Sequence, residues 1–241
     1  MPFPFKEVVE RLKEFYKSDV PVVTRIAANS KRAKRDEGGD SASLLVEGAL
    51  SPNNRRDPFL VLIGCLLSLR TKDETTEKAM ERLMERARTP EELLSIPTEE
   101  VERIIYPVGF YKVKSRLIKE ISRTVIEKYH NAVPDTLDEL LTIKGIGRKT
   151  ANIVITEGFG LLGVAVDTHV HRISNRLGAV KTKTPDETEM RLREILPQEY
   201  WREYNPLLVT HGRRTCNPIS PWCSRCPVFN LCARVGVGRS R

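Results

Sequence analysis

The chain has 241 residues, 40% of them hydrophobic, and its 40 lysines and arginines exceed its 32 aspartates and glutamates for a formal net charge of +8. That length suffices for one large domain or two lobes, and the basic surplus favours a polyanionic partner such as nucleic acid, although a basic but otherwise ordinary enzyme also fits it. No run of about 20 apolar residues could cross a bilayer, and the opening MPFPFKEVVERLKEFY is charged where a signal peptide needs an apolar core, so an intracellular protein is expected.

The first predicted element is the helix in VVERLKEFY, whose apolar residues recur at three- and four-residue spacing. From Asn29 to Asp57 the chain turns polar, through KRAKR, DEGGDS and SPNNRRD, and reads as a flexible connection or long surface loop. The KRAKR cluster could touch DNA, but a solvated loop is the simpler reading. The apolar run FLVLIGCLLSL follows, with Cys65 read as a small buried residue. Thr71 with Glu74, and Thr136 with Glu139, have capping-box spacing, while Thr89-Pro90 and Thr184-Pro185 each put a cap before a first-turn proline. EKAMERLMERA repeats the helical spacing, alternating strand patterns are missing, and no internal repeat is visible. An all-α fold is expected. The tail ARVGVGRSR, residues 233–241, reads as frayed.

Two segments carry chemistry. In LLTIKGIGRKTANIVI a helix is broken by Gly145-Ile146-Gly147 and a second begins at once. Two glycines so spaced let the backbone turn tightly and leave amides of the turn and of the next helix's first turn unpaired. Converging N–H donors suit a phosphate, and the flanking Lys144 and Arg148 add charge; a plain turn between helices is the alternative. The second segment, CNPISPWCSRCPVFNLC, holds Cys216, Cys223, Cys226 and Cys232 within 17 residues. In a reducing compartment such cysteines read as ligands rather than disulfides. Four thiolates suit tetrahedral zinc or an iron-sulfur cluster, and the single CxxC departs from the paired knuckles usual for zinc.

GIGRKTANIV, then AVDTHVHRISNRLG, then cysteines with gaps of six, two and five residues, resemble the endonuclease III family of the helix-hairpin-helix DNA glycosylase superfamily. The likeness runs from about Asp57 to Cys232 and takes in LLSLRTKDETT and YPVGFYKVKSRLI; YPVGFYKVK and AVDTHVHRISNRLG look nearer to eukaryotic-type members. The resemblance implies a [4Fe-4S] cluster on Cys216, Cys223, Cys226 and Cys232, structural in role and pinning a loop against DNA. It implies two helical lobes: a barrel over residues 52–160 ending in the hairpin, and a cluster lobe from 1–51 and 161–241, with DNA bound across the cleft as a monomer.

The activity implied is that of a base-excision-repair DNA glycosylase and abasic-site lyase, removing oxidised pyrimidines from double-stranded DNA in the nucleoid or nucleus. Lys149 and Asp167 match the family's catalytic pair, one at each wall of the cleft. Lys149, in the first turn of the second hairpin helix, would attack the sugar, and the resulting imine would permit β-elimination. Asp167 would stabilise the sugar cation or manage protons. Taken singly, a lysine here is a phosphate contact and an aspartate before Thr-His a helix cap. Phe110 occupies the place of a wedge that fills the gap left by a flipped base, with Tyr111 and Lys112 beside it, although it could equally be core. Arg70 stands where many bacterial relatives have a glutamine, which leaves the opposite-base preference open. His169 and His171 read as structural or DNA-backbone residues. The loop NPISPW lacks the basic residues frequent in the family, leaving Arg213, Arg214 and Arg225 for DNA. A mismatch glycosylase acting on thymine or adenine is disfavoured by Lys149, and a non-catalytic DNA-binding module with a zinc-stapled tail by the presence of both Lys149 and Asp167.

Overall fold

A computed structural model describes residues 2–17 and 57–241. The KRAKR cluster and the polar 29–57 segment, Asp57 excepted, lie outside the described residues. Every regular element among the described residues is helical, as the periodicity predicts. The chain divides into two compact units, Ala33–Leu161 and Met1–Arg32 with Leu162–Arg241. No helix among the described residues is long and apolar enough to cross a membrane.

The Ala33–Leu161 unit is built round helix α2, Pro58–Ser68, which is apolar on every side and buries eight of its eleven residues. A helix with no polar stripe must be surrounded. It starts where it does because the Asp57 carboxylate accepts from the amides of Phe59 at 2.8 Å and Leu60 at 3.2 Å, with Pro58 at the first helical position. Around it stand α3 (Asp73–Met84), α4 (Pro90–Ser95), α5 (Thr98–Ile105), α6 (Tyr111–Tyr129), α7 (Leu137–Thr142) and α8 (Arg148–Ile153). A π-helical turn, Val154–Gly158, continues α8 and packs on the start of α2, where a Cβ on Gly158 would lie 2.9 Å from the Cα of Pro58. Cys65 is half-buried against this core.

Thr89 closes a full capping box with Glu92, and Thr136 accepts from the amide of Glu139. The box expected from Thr71 does not form. Helix α3 begins two residues later, its N-cap is Lys72 and no side chain caps it. The Thr71 hydroxyl is engaged elsewhere, accepting from the amide of Gly109 at 3.1 Å, so a tertiary bond has outcompeted the local one.

The second unit packs α1 (Phe5–Phe15) and α9 (Thr168–Leu177) on α11 (Trp201–Arg214), with α10 (Pro185–Ile195) against α9. Thr184 caps α10 through the amide of Glu187. Tyr204 lies fully buried at the centre, its hydroxyl 3.1 Å from that of Ser174. A Cβ on Gly212 would come 2.3 Å from Nδ1 of His169, so α11 and α9 meet at a position that only glycine allows. The 233–241 segment, expected to fray, is tied back. Ala233 and Val235 donate to the carbonyls of Leu177 and Arg176, and the amide of Arg241 donates to Pro221 at 2.8 Å. The last carbonyls of α9 have no acceptor role within the helix, which leaves them open to these amides.

Candidate functional site

The turn between α7 and α8 separates its two glycines. Gly145 has φ +91°, and a Cβ there would lie 2.5 Å from Cδ1 of Leu117, so the fold itself demands glycine. Gly147 has φ −94° and ψ 170°, ordinary extended backbone, and a Cβ there would meet nothing within 4 Å. The expectation that the tight turn needs both glycines therefore holds for Gly145 only. Between them Ile146 is buried and its amide donates to Ile143. Lys144 is exposed on the turn, while Arg148 and Lys149 are half-buried at the first and second positions of α8. The Lys149 side chain makes no hydrogen bond among the described residues.

Asp167 is the N-cap of α9. Its Oδ1 accepts from the amides of His169 at 2.8 Å and Val170 at 2.9 Å, and Oδ2 makes no hydrogen bond among the described residues. The buried segment leading to it is held by Asn205, whose side-chain amide donates to the carbonyl of Ala165 at 3.0 Å. Lys149 and Asp167 belong to different units. His169 and His171 serve the packing of α9: His171 Nδ1 lies 2.7 Å from the Thr188 hydroxyl, and His169 sits against Gly212.

All four C-terminal cysteines line one cavity, with Arg176, His211 and Val228 among the other walls. Among the described residues no three His, Cys, Asp or Glu side chains are placed to hold a single metal ion. The sulfurs are contacted from outside. Arg176 Nη1 donates to Cys216 Sγ at 3.4 Å, the amide of Arg234 to Cys232 Sγ at 3.4 Å, and His211 Nε2 lies 3.8 Å from Cys226 Sγ. His211 Nδ1 lies 2.8 Å from the hydroxyl of Tyr16, which reaches in from the end of α1. Burial pushes the Cys226 thiol up to about 11 and raises Cys232 as well, because an apolar wall opposes a bare thiolate. Burial also presses His211 down to about 4, so it stays neutral at pH 7. Such sulfurs ionise readily only beside a cation, the condition a metal group creates.

The Cys216–Cys223 loop has no basic residue of its own, and the structure brings arginines to it. Arg176 donates to the carbonyls of Asn217 and Pro218, both at 2.7 Å, while the guanidiniums of Arg225 and Arg241 lie 4.4 and 4.0 Å from the Trp222 ring centroid. Of the arginines expected to serve DNA, Arg225 is thus stacked on the loop and bonded to the carbonyl of Arg214. Arg176 and Arg241 could not be placed from the sequence, since only folding brings them beside residues 41 and 21 positions away.

Phe110 is 62% exposed, which removes the core reading. It is in the left-handed region at φ 59°, as is Arg70 at φ 53°, and the Arg70 guanidinium lies 5.8 Å from the Phe110 ring centroid. Lys112 is exposed beside them. Tyr111 turns the other way, half-buried on the core and edge-on to Tyr106.

Residues 63–198 match the HhH-GPD superfamily of base excision DNA repair proteins. Endonuclease III of Thermotoga maritima is 51% identical over 195 residues, 79% of this chain and 92% of that one. Endonuclease III-like protein 1 of Mus musculus is 40% identical over 211 residues, 86% of this chain and 69% of its own. Among solved structures, a trapped endonuclease III-DNA covalent intermediate in an estranged-adenine complex superposes with a TM-score of 0.73, at 31% identity, over 95% of this chain and 94% of that one. A non-covalent endonuclease III-DNA complex has a TM-score of 0.69 at 38% identity, over 78% and 87%. The chain belongs to the HhH-GPD superfamily of base excision DNA repair proteins and, within it, to the endonuclease III family.

Proposed function

We propose that the protein is a bifunctional DNA glycosylase and abasic-site lyase of base excision repair, removing oxidised pyrimidines from double-stranded DNA. The observation that carries this reading is the likeness, over nearly the whole chain, to an endonuclease III caught covalently joined to DNA. A covalent step needs a nucleophile. Lys149 is the candidate: it stands at the head of α8, next to a turn whose glycine at 147 leaves open space outside.

In this reading the Lys149 amine attacks C1′ of the damaged nucleotide, and the base leaves with the electrons of the N-glycosidic bond. The nitrogen gives one of its protons to the departing base and the other to the ring oxygen O4′ as the C1′–O4′ bond breaks, which leaves an imine between Lys149 and the opened sugar. The imine acidifies the C2′ proton, whose removal expels the 3′ phosphate oxygen and cuts the strand. The Asp167 carboxylate stabilises the positive charge that develops on the sugar. Gly147, Lys144 and Arg148 take the phosphate backbone, where a side chain at 147 would stand in the way. Phe110 and Arg70 fill the duplex where the base has left. Cys216, Cys223, Cys226 and Cys232 would hold a [4Fe-4S] cluster, which suits four sulfurs spread round one cavity and when bound would anchor the 216–232 segment. Acting on DNA, the enzyme works inside the cell.

Borohydride tests the central step. Wild-type protein incubated with an abasic-site duplex should be reduced to a stable protein-DNA adduct, and Lys149→Gln should abolish the adduct and strand cleavage while still binding DNA. Undiminished trapping by Lys149→Gln would assign the nucleophile to another amine, with Lys144 next to examine.

A further inference from the structure

Lys114 is 6% exposed, the one charged side chain buried among the described residues of the Ala33–Leu161 unit. It lies one helical turn after Phe110 in α6, and its amide donates to the Phe110 carbonyl at 3.0 Å. Its ammonium crosses to the end of α2 and donates to the carbonyls of Leu67 at 2.7 Å and Leu69 at 2.6 Å and to the Thr71 hydroxyl at 3.1 Å. Those acceptors bracket Arg70. The same Thr71 hydroxyl accepts from the amide of Gly109, the residue before Phe110. The two backbones touch there, since a Cβ on Gly109 would lie 2.6 Å from the carbonyl oxygen of Arg70.

Arg70 and Phe110 are thus two left-handed, non-glycine residues whose neighbours are tied to one ammonium. Each such residue costs on the order of 1–3 kcal/mol and persists only where its surroundings over-determine it. A buried ammonium is itself a costly tie, and burial pulls Lys114 down to about 8. A methionine of similar length would fill the space without that cost, so packing alone does not account for a lysine. What the ammonium adds is direction: three donors converging on two carbonyls and a hydroxyl define where both loops end.

We propose that Lys114 is a positioning residue that locks Arg70 and Phe110 into a single rigid prong, which enters duplex DNA as the damaged nucleotide leaves the stack. The inference rests on the glycosylase reading above. A prong held in advance spends its contact on the unstacked duplex, and a loose one must first be ordered. Lys114 touches neither base nor sugar and acts through Phe110 and Arg70.

The test compares wild type, Lys114→Met, Phe110→Ala and the double variant, each checked for folding by circular dichroism. The substrates are a duplex carrying 5-hydroxyuracil with 2-aminopurine beside it, and a duplex with a preformed abasic site. Lys114→Met should slow single-turnover excision on the order of 100-fold and suppress the 2-aminopurine fluorescence rise that reports unstacking. Cleavage at the abasic site, where there is no base to extract, should change little. The double variant should be no slower than Phe110→Ala, because both changes remove one device. Losses that multiply in the double variant, or wild-type excision by Lys114→Met, would overturn the proposal. Should Lys114→Met fail to fold, Thr71→Val, which removes the shared hydroxyl, must show the same selective loss or the proposal falls. If wild type forms the borohydride adduct and Lys114→Met excises as fast as wild type, this inference alone is refuted, whereas wild-type protein that excises nothing refutes the glycosylase reading with it.

Discussion

In the proposed mechanism Asp167 has two jobs, one on each oxygen. Oδ1 is spent on the amides of His169 and Val170, and Oδ2 makes no hydrogen bond among the described residues. The helix-cap reading and the catalytic reading of this residue are therefore compatible, and substitution can separate them. Asparagine caps a helix about as well as aspartate, so Asp167→Asn should unfold near the wild-type temperature, whereas Asp167→Ala should cost about 1 kcal/mol of stability. Both should slow base excision on the order of 100-fold or more, because both remove the negative charge beside the sugar cation. Thermal unfolding and single-turnover excision measure the two jobs independently, and wild-type excision by Asp167→Asn would remove the carboxylate from the mechanism. The letters DTH by themselves read as a helix cap, and the capping bonds form; the catalytic reading came only with the family resemblance. Lys114 was not readable: nothing in YKVKS tells which lysine turns inwards, since that depends on carbonyls 45 and 47 positions away and a hydroxyl 43 away.

At the scale of the element, the α7–α8 hairpin shows how two identical residues in one motif can be kept for different reasons. At Gly145 both backbone and space exclude a side chain, so Gly145→Ala should destabilise the Ala33–Leu161 unit by roughly 1–3 kcal/mol. At Gly147 neither does. Gly147→Ala should fold normally, with at most a small loss from a poorer N-cap. Its duplex affinity should nevertheless fall, for undamaged and damaged DNA alike, with a shallower dependence on salt as a phosphate contact is lost. Fluorescence anisotropy across a salt series, alongside thermal melts, distinguishes the two sites; a loss confined to damaged DNA would move Gly147 from the backbone grip to the base pocket. Helix starts marked by Thr89, Thr136 and Thr184 were legible because a cap is a local bond. The capping box of Thr71 fails for the opposite reason, its hydroxyl being claimed by Lys114 of α6 and by Gly109 in the turn before it.

At the scale of the molecule, the second unit draws its core from both ends of the chain, with α1 against α11 and Tyr16 reaching the His211 that borders Cys226. Loss of the sulfur set should therefore be felt well beyond the 216–232 segment. Purified protein should be yellow-brown, with about four irons and four acid-labile sulfides per chain. Cys226→Ser should lose the colour and lower the melting temperature, while Cys65→Ser, in the other unit and half-buried on α2, should keep both. Stoichiometric zinc without sulfide in anaerobically isolated protein would replace the cluster with a zinc staple. The sequence by itself determined the all-helical class, the ordered motifs that carry the family and the four cysteines, because periodicity, caps and ligand spacing are encoded within a few residues of one another. Only the tertiary structure decided that Phe110 faces solvent beside Arg70, that Lys114 ties their loops together, that Gly147 is not needed by its turn, and that Arg241 returns to cover a loop without charge. Each of these depends on which distant atoms fill, or leave empty, the space round a residue, and no short-range pattern encodes that.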